Sequence, residues 1–379
     1  MARNRVIYQS EALYVSENVN STGVGKHAQL DRVQSANYNF SISRQDINQY
    51  GELARIDSIV LEPPTVNLDF TYYLTDGSNE RALGFYVQTG SLAQGNFASG
   101  HMTTTSGKNF YIATSAEGGD LNYSTVSGDI KSLIGIGNGF LSDYTLDLAV
   151  GSLPTVSVTI EGANILATGS YIATGVGYTG ITGQNPAINP ENGASFASTG
   201  VLLPTGKTNL GNSSISALRP GDVTISFGNI TGDGSGVISD LTSGSNGIHV
   251  QTASLSIPLS RSPLQRLGSR FPFARTVDFP VTSTLTVNAI LNEVSAENLA
   301  TTLNENKDTT ITLTIKKPNS SDIAMIYVLK KAKLDSESFS SSIGSNKTVD
   351  LTFSTQVGGP NDSNNGVFVS GIGSGAVFL

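Results

Sequence analysis

A stretch beginning at Val33 recurs, without gaps, at Val250. VQSANYNFSISRQDINQYG (33–51) lies over VQTASLSIPLSRSPLQRLG (250–268), and the register continues to Leu74 over Leu291 with eleven identities in forty-two columns. A second ungapped block, 129–160 over 322–353, shares Asp129, Ile130, Leu141, Gly151, Ser152, Thr155, Val156 and Thr159 with its copy. Two blocks in the same order imply one domain-sized unit used twice, which constrains the fold more than any composition figure. The expected division is a first domain at 1–165, a Gly/Ser/Thr-rich insertion or bridge at 166–217 and a second domain at 218–379. A chain of 379 residues is long enough for two cores.

Inside the repeat the local signal is alternation. Gln34, Ala36, Tyr38, Phe40 and Ile42 fall on one face of 33–43, with Ser35, Asn37, Asn39, Ser41 and Ser43 on the other. The copy sets Ala253, Leu255, Ile257 and Leu259 against Thr252, Ser254, Ser256 and Ser260. The same period of two runs through 65–72, 284–291, 155–160 and 348–353, so each reads as a half-buried strand. Hydrophobic content of 38%, charged content of 14% and 41 glycines suit such turn-rich β structure. Helix is expected only at SNERALGFY (78–86) and SAENLATTLN (295–304), each opened by a serine cap signal. The fold class is therefore all-β with one short helix per unit. DVTISF (222–227) fits the register of RVIYQS (5–10), which suggests one further strand at the start of each unit.

Long connections separate the first two strands of each unit, at 44–64 and 261–281. Connections of that length are usually functional, and a protruding arm that touches a neighbour is the expected role. Arg44 and Arg261 open them in equivalent columns, Gly51 and Gly268 sit centrally, and Asp46, Glu52 and Asp57 add opposite charge to the first. The insertion at 166–217 has no counterpart and is expected to carry short edge strands. The C-terminal stretch closes in apolar residues, as a docking tail would.

Composition excludes several chemistries. Cysteine is absent, so disulfides and thiolate metal sites are impossible. His27, His101 and His249 are too scattered for a metal site of their own. GVGYTG (175–180) spells a dinucleotide fingerprint, but Pro186 follows where a phosphate-binding helix would have to open. GDGSG (232–236) reads as a hairpin turn rather than a calcium loop. No nucleophile elbow or phosphate loop occurs, so no catalytic residue, cofactor or metal ligand is expected, and the chain is not read as an enzyme. A net charge of −8 argues against a nucleic-acid grip, and the Lys330–Lys331–Lys333 cluster reads as a solvated strand end. MARNRVIYQS lacks the apolar core of a signal peptide and no apolar run is long enough for a membrane span, so no membrane anchor is expected.

The polar strand faces carry Ser, Thr, Asn and Asp, with no Lys or Arg in the six strand bodies. Such a wall is wettable and offers no purchase to a polyanion.

ARNRVIYQSEALYVS, RVQSANYNFSISRQDINQYGELARIDSIVLEPPTVNLDF, NFYIATSAEG and IGIGNGFLSDYTLDLAVGSLPTVSVTIEG together resemble tail tube proteins of tailed bacteriophages, in a form with the tube domain duplicated. The resemblance implies two tandem β-sandwich or partial-barrel domains that close a β-barrel on oligomerisation. It implies a structural protein of the virion, made in the host cytoplasm, with three chains per pseudo-hexameric ring and rings stacked as a conduit for DNA ejection. Its partners would be itself, the tape measure, tail terminator and baseplate proteins, and a sheath if the tail is contractile, with DNA passing unbound. Inter-ring contacts would fall to Arg44, Asp46, Gly51, Glu52, Asp57, Arg261 and Gly268. The lumen would be lined by Asn37, Asn39, Asn67, Asp69, Thr71, Ser254, Ser256, Thr284, Thr286 and Asn288. A baseplate hub or distal tail protein is the nearer alternative, and a receptor-binding β adhesin or depolymerase the remoter one.

Overall fold

The computed structural model describes residues 11–21, 25–88, 95–104, 106–116, 119, 121, 130–168, 171–175, 178–196, 201–204, 218–227, 249–290, 308–340, 346 and 348–371. Their regular structure is nearly all antiparallel β, as the alternation predicts. The first half runs β1 (Glu11–Ser16), β2 (His27–Gln29), β3 (Val33–Ser41), β4 (Arg44–Ile47), β5 (Asp57–Val60) and β6 (Thr65–Tyr73). It continues through α1 (Ser78–Leu83), β7 (Val87–Gln88), α2 (Ser99–Thr103), β8 (Lys108–Ser115), β9 (Ile130–Ala149), β10 (Thr155–Gly162) and β11 (Asn164–Thr168). A separate small sheet follows, of β12 (Tyr171–Gly175), β13 (Tyr178–Gly183) and β14 (Val201–Pro204). The second half holds β15 (Val223–Phe227), β16 (His249–Pro258), β17 (Arg261–Leu264), β18 (Ala274–Val277) and β19 (Thr282–Ile290). It ends in β20 (Thr309–Lys316), β21 (Ile323–Ser340), β22 (Thr348–Gln356) and β23 (Gly366–Gly371).

The spine of the molecule is a continuous antiparallel sheet in the order β3–β6–β10–β9–β16–β19–β22–β21. Each half supplies four strands in the same order, and the last strand of the first block, β9, pairs with the first strand of the second, β16. The two long strands, β9 and β21, each serve two sheets. The first part of β9 pairs with β8 and β11, and its second part with β10 and β16. Likewise the first part of β21 pairs with β20 and β23, and its second part with β22. Both strands change sheets near a residue with left-handed backbone, Asn138 (φ 54) and Lys331 (φ 52), an uncommon conformation for a side-chain-bearing residue. Close packing at this crossover demands glycine at position 139, where a Cβ would stand 2.8 Å from the Phe110 ring and 2.9 Å from Ile160.

Irregularities recur column for column. β3 and β16 each shift register against the next strand, at Val33/Ser35 and Val250/Thr252. The β10–β9 ladder shifts where Leu141 follows Asp143, and the β22–β21 ladder where Leu334 precedes Ser336. β8 slips at Lys108/Phe110 and Thr114/Ser115, and β20 at Thr309/Ile311 and Ile315/Lys316.

Several expectations need correction. β15 sets Phe227 opposite Ile311 on β20, as β1 sets Val15 opposite Phe110 on β8, so 223–227 corresponds to Glu11–Val15 rather than to 5–10. Short alternating strings match in several registers, and only the ladder decides between them; residues 5–10 themselves lie outside the described residues. Helix α1 is present, but its cap is Gly77 in the left-handed region, with no side-chain cap bond, and Ser78 is its first helical residue. The second helix expected at 295–304 lies outside the described residues, as does the GDGSG turn. α2 carries no sequence signal that marked it. β11 runs past residue 165, so the first half ends later than expected. GVGYTG spans a hairpin in which Gly175 pairs with Tyr178, which is no place for a helix N-terminus. Of the C-terminal stretch, β23 docks against β21 and, in parallel, against β7 of the first half.

One apolar core spans both halves. Between them lies a buried polar knot. The Tyr72 hydroxyl donates to Glu80 Oε1 at 2.7 Å, Tyr144 reaches the same oxygen at 3.3 Å, and the Tyr144 and Tyr327 hydroxyls are 3.0 Å apart. Phe85 and Phe97 stack at 4.1 Å between ring centroids, and both meet Tyr144 edge-on. Glu80 and Tyr72 come from the first half and Tyr327 from the second, so the knot ties the halves together.

Burial pushes the Glu80 carboxyl up to about 7, against the lowering effect of the Tyr72 hydrogen bond. A raised folded-state value means this group's contribution to stability is fully present below about pH 4.5 and is lost as pH rises through 7, about 3 kcal/mol in all. His27 and His101, lowered to about 4 and 3 by burial, act in the opposite sense. The difference between wild type and Glu80→Gln therefore isolates the effect. Urea unfolding should show the variant gaining on wild type as pH rises from about 5 to 8. Parallel pH profiles would mean that Glu80 does not titrate in that range.

Candidate assembly interface

The β9–β16 junction inside the chain shows what each block needs at its edge. Ser254 stands opposite Asp147, Leu255 opposite Leu146, Ser256 opposite Thr145 and Ile257 opposite Tyr144. Leu255, Ile257 and Leu259 are 1%, 0% and 0% exposed. Their counterparts at the start of the first half, Tyr38, Phe40 and Ile42, are 42%, 59% and 42% exposed. On the far side the same contrast holds, since Leu146 is 0% exposed and its counterpart Phe339 is 50% exposed. Among the described strands, nothing pairs with the outer side of β3 or with the outer side of the second part of β21. The chain thus ends in two complementary edges, each carrying apolar side chains whose equivalents are core residues. Fully burying such a side chain stabilises by about 1.5–3 kcal/mol.

The ten residues expected to line a lumen share the polar face of the spine. One row of opposed residues crosses all eight strands: Ser35, Thr71, Ser157, Thr145, Ser256, Thr284, Ser354 and Lys333. Neighbouring rows set Asn37 opposite Asp69 and Asn39 opposite Asn67, and put Ser254, Thr286 and Asn288 on the same side. Short side-chain bonds knit the face. Thr159 donates to Asp69 at 2.8 Å, Ser254 to Asp147 at 2.6 Å and Asn288 to Asp350 at 2.6 Å, and the Ser35 and Thr71 hydroxyls are 2.7 Å apart. Asp143, Asp147, Glu161 and Asp350 belong to this face too and were not singled out from sequence. They lie in strands whose polar positions were read only as Ser and Thr, or not read at all.

The two long connections are not loops. β4 pairs with β5, and β17 with β18, so each is a two-stranded arm in equivalent register. Alternation over four residues is too short to separate such a hairpin from a loop in sequence. Gly51 (φ 91) and Gly268 (φ 85) turn the two arms in the left-handed region that favours glycine. The first arm is exposed along its whole length, and Tyr50 and Leu53 project into solvent. Its Arg55 bonds Asp46 at 2.9 Å within the arm, which holds the Asp46 carboxyl below its usual range. Arg44, Glu52 and Asp57 are exposed around it.

The second arm lies back on the first half. Arg261 donates to the His101 carbonyl at 3.0 Å and stands over the Phe140 ring at 5.0 Å. Burial, then the neighbouring Arg275, lowers its guanidinium to about 10, with Glu161 opposing. Arg275 and Arg266 approach Glu161 and Glu191 at 3.6 Å, and the Ser269 hydroxyl donates to the Pro190 carbonyl at 2.9 Å. The insertion supplies this seat. Asn138, at the β9 crossover, accepts from the Ile188 amide at 2.8 Å and donates to the Ile188 carbonyl at 3.0 Å, fixing 186–196 beneath the arm. Arg44 and Arg261, alike in sequence, therefore sit in unlike surroundings, and Gly268 belongs to a docked arm.

Among the described residues no cluster of His, Asp or Glu is arranged to hold a metal, and no helix is long and apolar enough to cross a membrane.

In the monomeric chain, Ile257→Ala should cost about 2–5 kcal/mol in urea unfolding, whereas Phe40→Ala in the equivalent column should cost under about 1 kcal/mol. Equal costs would mean that the β3 edge is already covered. No protein-family model and no curated protein matches this chain.

Proposed function

We propose that the chain is a tail tube subunit, whose copies join edge to edge into rings that stack as a conduit for DNA ejection. The observation that carries this reading is the internal junction. β9 and β16 join two blocks of like register head to tail, and the chain leaves the same two edges open at β21 and β3. Repeating the junction between copies would cover Tyr38, Phe40 and Phe339 and satisfy the open backbone edges, which otherwise invite aggregation. A head-to-tail contact closes when its rotation divides a full turn, and three chains would place six like blocks around one axis. The resemblance in sequence points to the same assembly. Tape measure, terminator and baseplate proteins would be further partners, in a virion assembled in the host cytoplasm.

In this assembly the polar face would line the lumen. Hydroxyls, amides and carboxylates make no counterion-releasing contacts with DNA, whereas each Lys or Arg could. Asn39→Lys, Asp69→Lys and Ser256→Lys should give normal tails with slowed, salt-sensitive genome release. Unchanged release in all three would place this face outside the channel.

The junction also predicts a register. Thr145 opposes Ser256 within the chain, and their counterparts are Ser338 and Asn39. A chain with no natural cysteine allows a clean test. Asn39→Cys with Ser338→Cys should oxidise to a closed covalent trimer on non-reducing gels, because opposed residues of an antiparallel pair lie within disulfide reach. Absence of inter-copy disulfides, or an unbounded ladder of linear products, would overturn the ring.

A further inference from the structure

The two arms and the two places where they could sit differ in charge, and the differences complement each other. The second arm, 261–279, carries Arg261, Arg266, Arg270 and Arg275 against Asp278 alone. Its seat on the first half offers Glu161, Glu191 and the Phe140 ring. The first arm, 44–62, reverses this balance, with Asp46, Glu52, Asp57 and Glu62 against Arg44 and Arg55.

The corresponding seat on the second half is found by following the ladders. Asn138 and Lys331 hold equivalent crossover positions, both left-handed. Phe140, opposite Glu161 on β10, corresponds to Lys333, opposite Ser354 on β22. Gly107, which precedes β8, corresponds to Asp308, which precedes β20. In the internal seat, Asn138, Phe140 and Gly107 line a cavity of about 170 Å³ together with Phe273, Ala274 and Arg275 of the second arm. The arm columns 273, 274 and 275 correspond to Ile56, Asp57 and Ser58 of the first arm. Asp57 therefore falls in the column that faces Lys331 and Lys333. Ser58 and Ser354 stand where the Arg275–Glu161 pair stands, so both ends of that pair are replaced together. Arg44 cannot repeat the stacking of Arg261, because Lys333 occupies the Phe140 column; an acid is needed beside the two cations, and Asp57 supplies it.

We infer that the exposed surface around Lys331 and Lys333 is the seat for the first arm of a second copy of this chain, held by Asp57. The inference rests on the edge-to-edge reading above and adds to it a second, charge-based contact at the same junction. Lys330 is not part of the seat, since its ammonium donates to the Ser363 carbonyl at 2.8 Å and lies over Phe368 at 4.5 Å. Lys333 is loosely paired with Asp308 at 3.9 Å, an arrangement that an incoming carboxylate can join. The junction between copies is then screened by salt, whereas the one inside the chain is packed by Phe140, Phe271 and Phe273 and is not.

The test uses the full chain, with self-association read by sedimentation at about 50 and 500 mM salt. Asp57→Lys, and separately Lys331→Glu with Lys333→Glu, should each weaken association about tenfold or more at low salt. A chain carrying all three changes should regain most of that loss, the signature of a direct pair rather than a damaged fold. Wild type should weaken at high salt towards the level of the variants. The inference fails if Asp57→Lys associates within about twofold of wild type at low salt, or if the triple variant is no better than its parts. Phe339→Glu separates the two readings. If it abolishes association while Asp57→Lys does not, the edge contact stands and the arm seat falls; a wild type that stays monomeric at all concentrations removes both.

Discussion

The hydrogen-bonded pairing of β9 with β16 is the interaction on which the rest of the molecule depends. It merges two four-stranded blocks into one spine, buries Leu255, Ile257 and Leu259, and sets all the polar rows on one side. Without it each block would present the kind of open, partly apolar edge that β3 still shows, and isolated sheets with such edges pair indiscriminately. The Glu80 knot depends on it as well. Tyr327 can meet Tyr144 only because the two long strands are carried into one core, and the α1–β7–α2 segment fills the space between them with Phe85 and Phe97.

The halves are alike in backbone and unlike in chemistry. Equivalent columns hold Tyr144 and Glu337, Phe140 and Lys333, and Leu255 and Tyr38. The internal junction is built from apolar and aromatic groups, as expected of a contact that never has to open. The columns left for other copies are more polar and more charged, as in interfaces whose partners must be soluble before they meet. The insertion follows the same division, because it serves only the arm that docks within the chain.

Much of this fold was legible in the sequence because a period of two over eight or nine residues fits a half-buried strand and little else. Val66, Leu68, Phe70 and Tyr72 are buried and their neighbours are not, as the alternation predicts. The ungapped repeat also predicted which columns correspond, down to Gly51 over Gly268. What the sequence hid was contact between elements. Nothing in IKSLIGIGNGFLSDYTLDLA shows that one strand serves two sheets, since its glycines are needed only because Phe110, Ile160 and Pro186 come close. The arms were missed as hairpins because four-residue strands carry little pattern. The unequal exposure of Tyr38 and Leu255 is a matter of neighbours, and no composition or spacing could distinguish them.

The register shifts recur at equivalent columns in both halves, and each one adds a local bend and twist to the strand that bears it. Curvature is therefore dealt out in equal portions along the spine. A ribbon bent equally at each repeat has no weak seam, because every block asks the same angle of the next. It also has little freedom to choose its diameter. The bore of any closed assembly of this chain would be written in the positions of Ser142 and Asp335, the extra residues of the two long strands, before any second copy arrived.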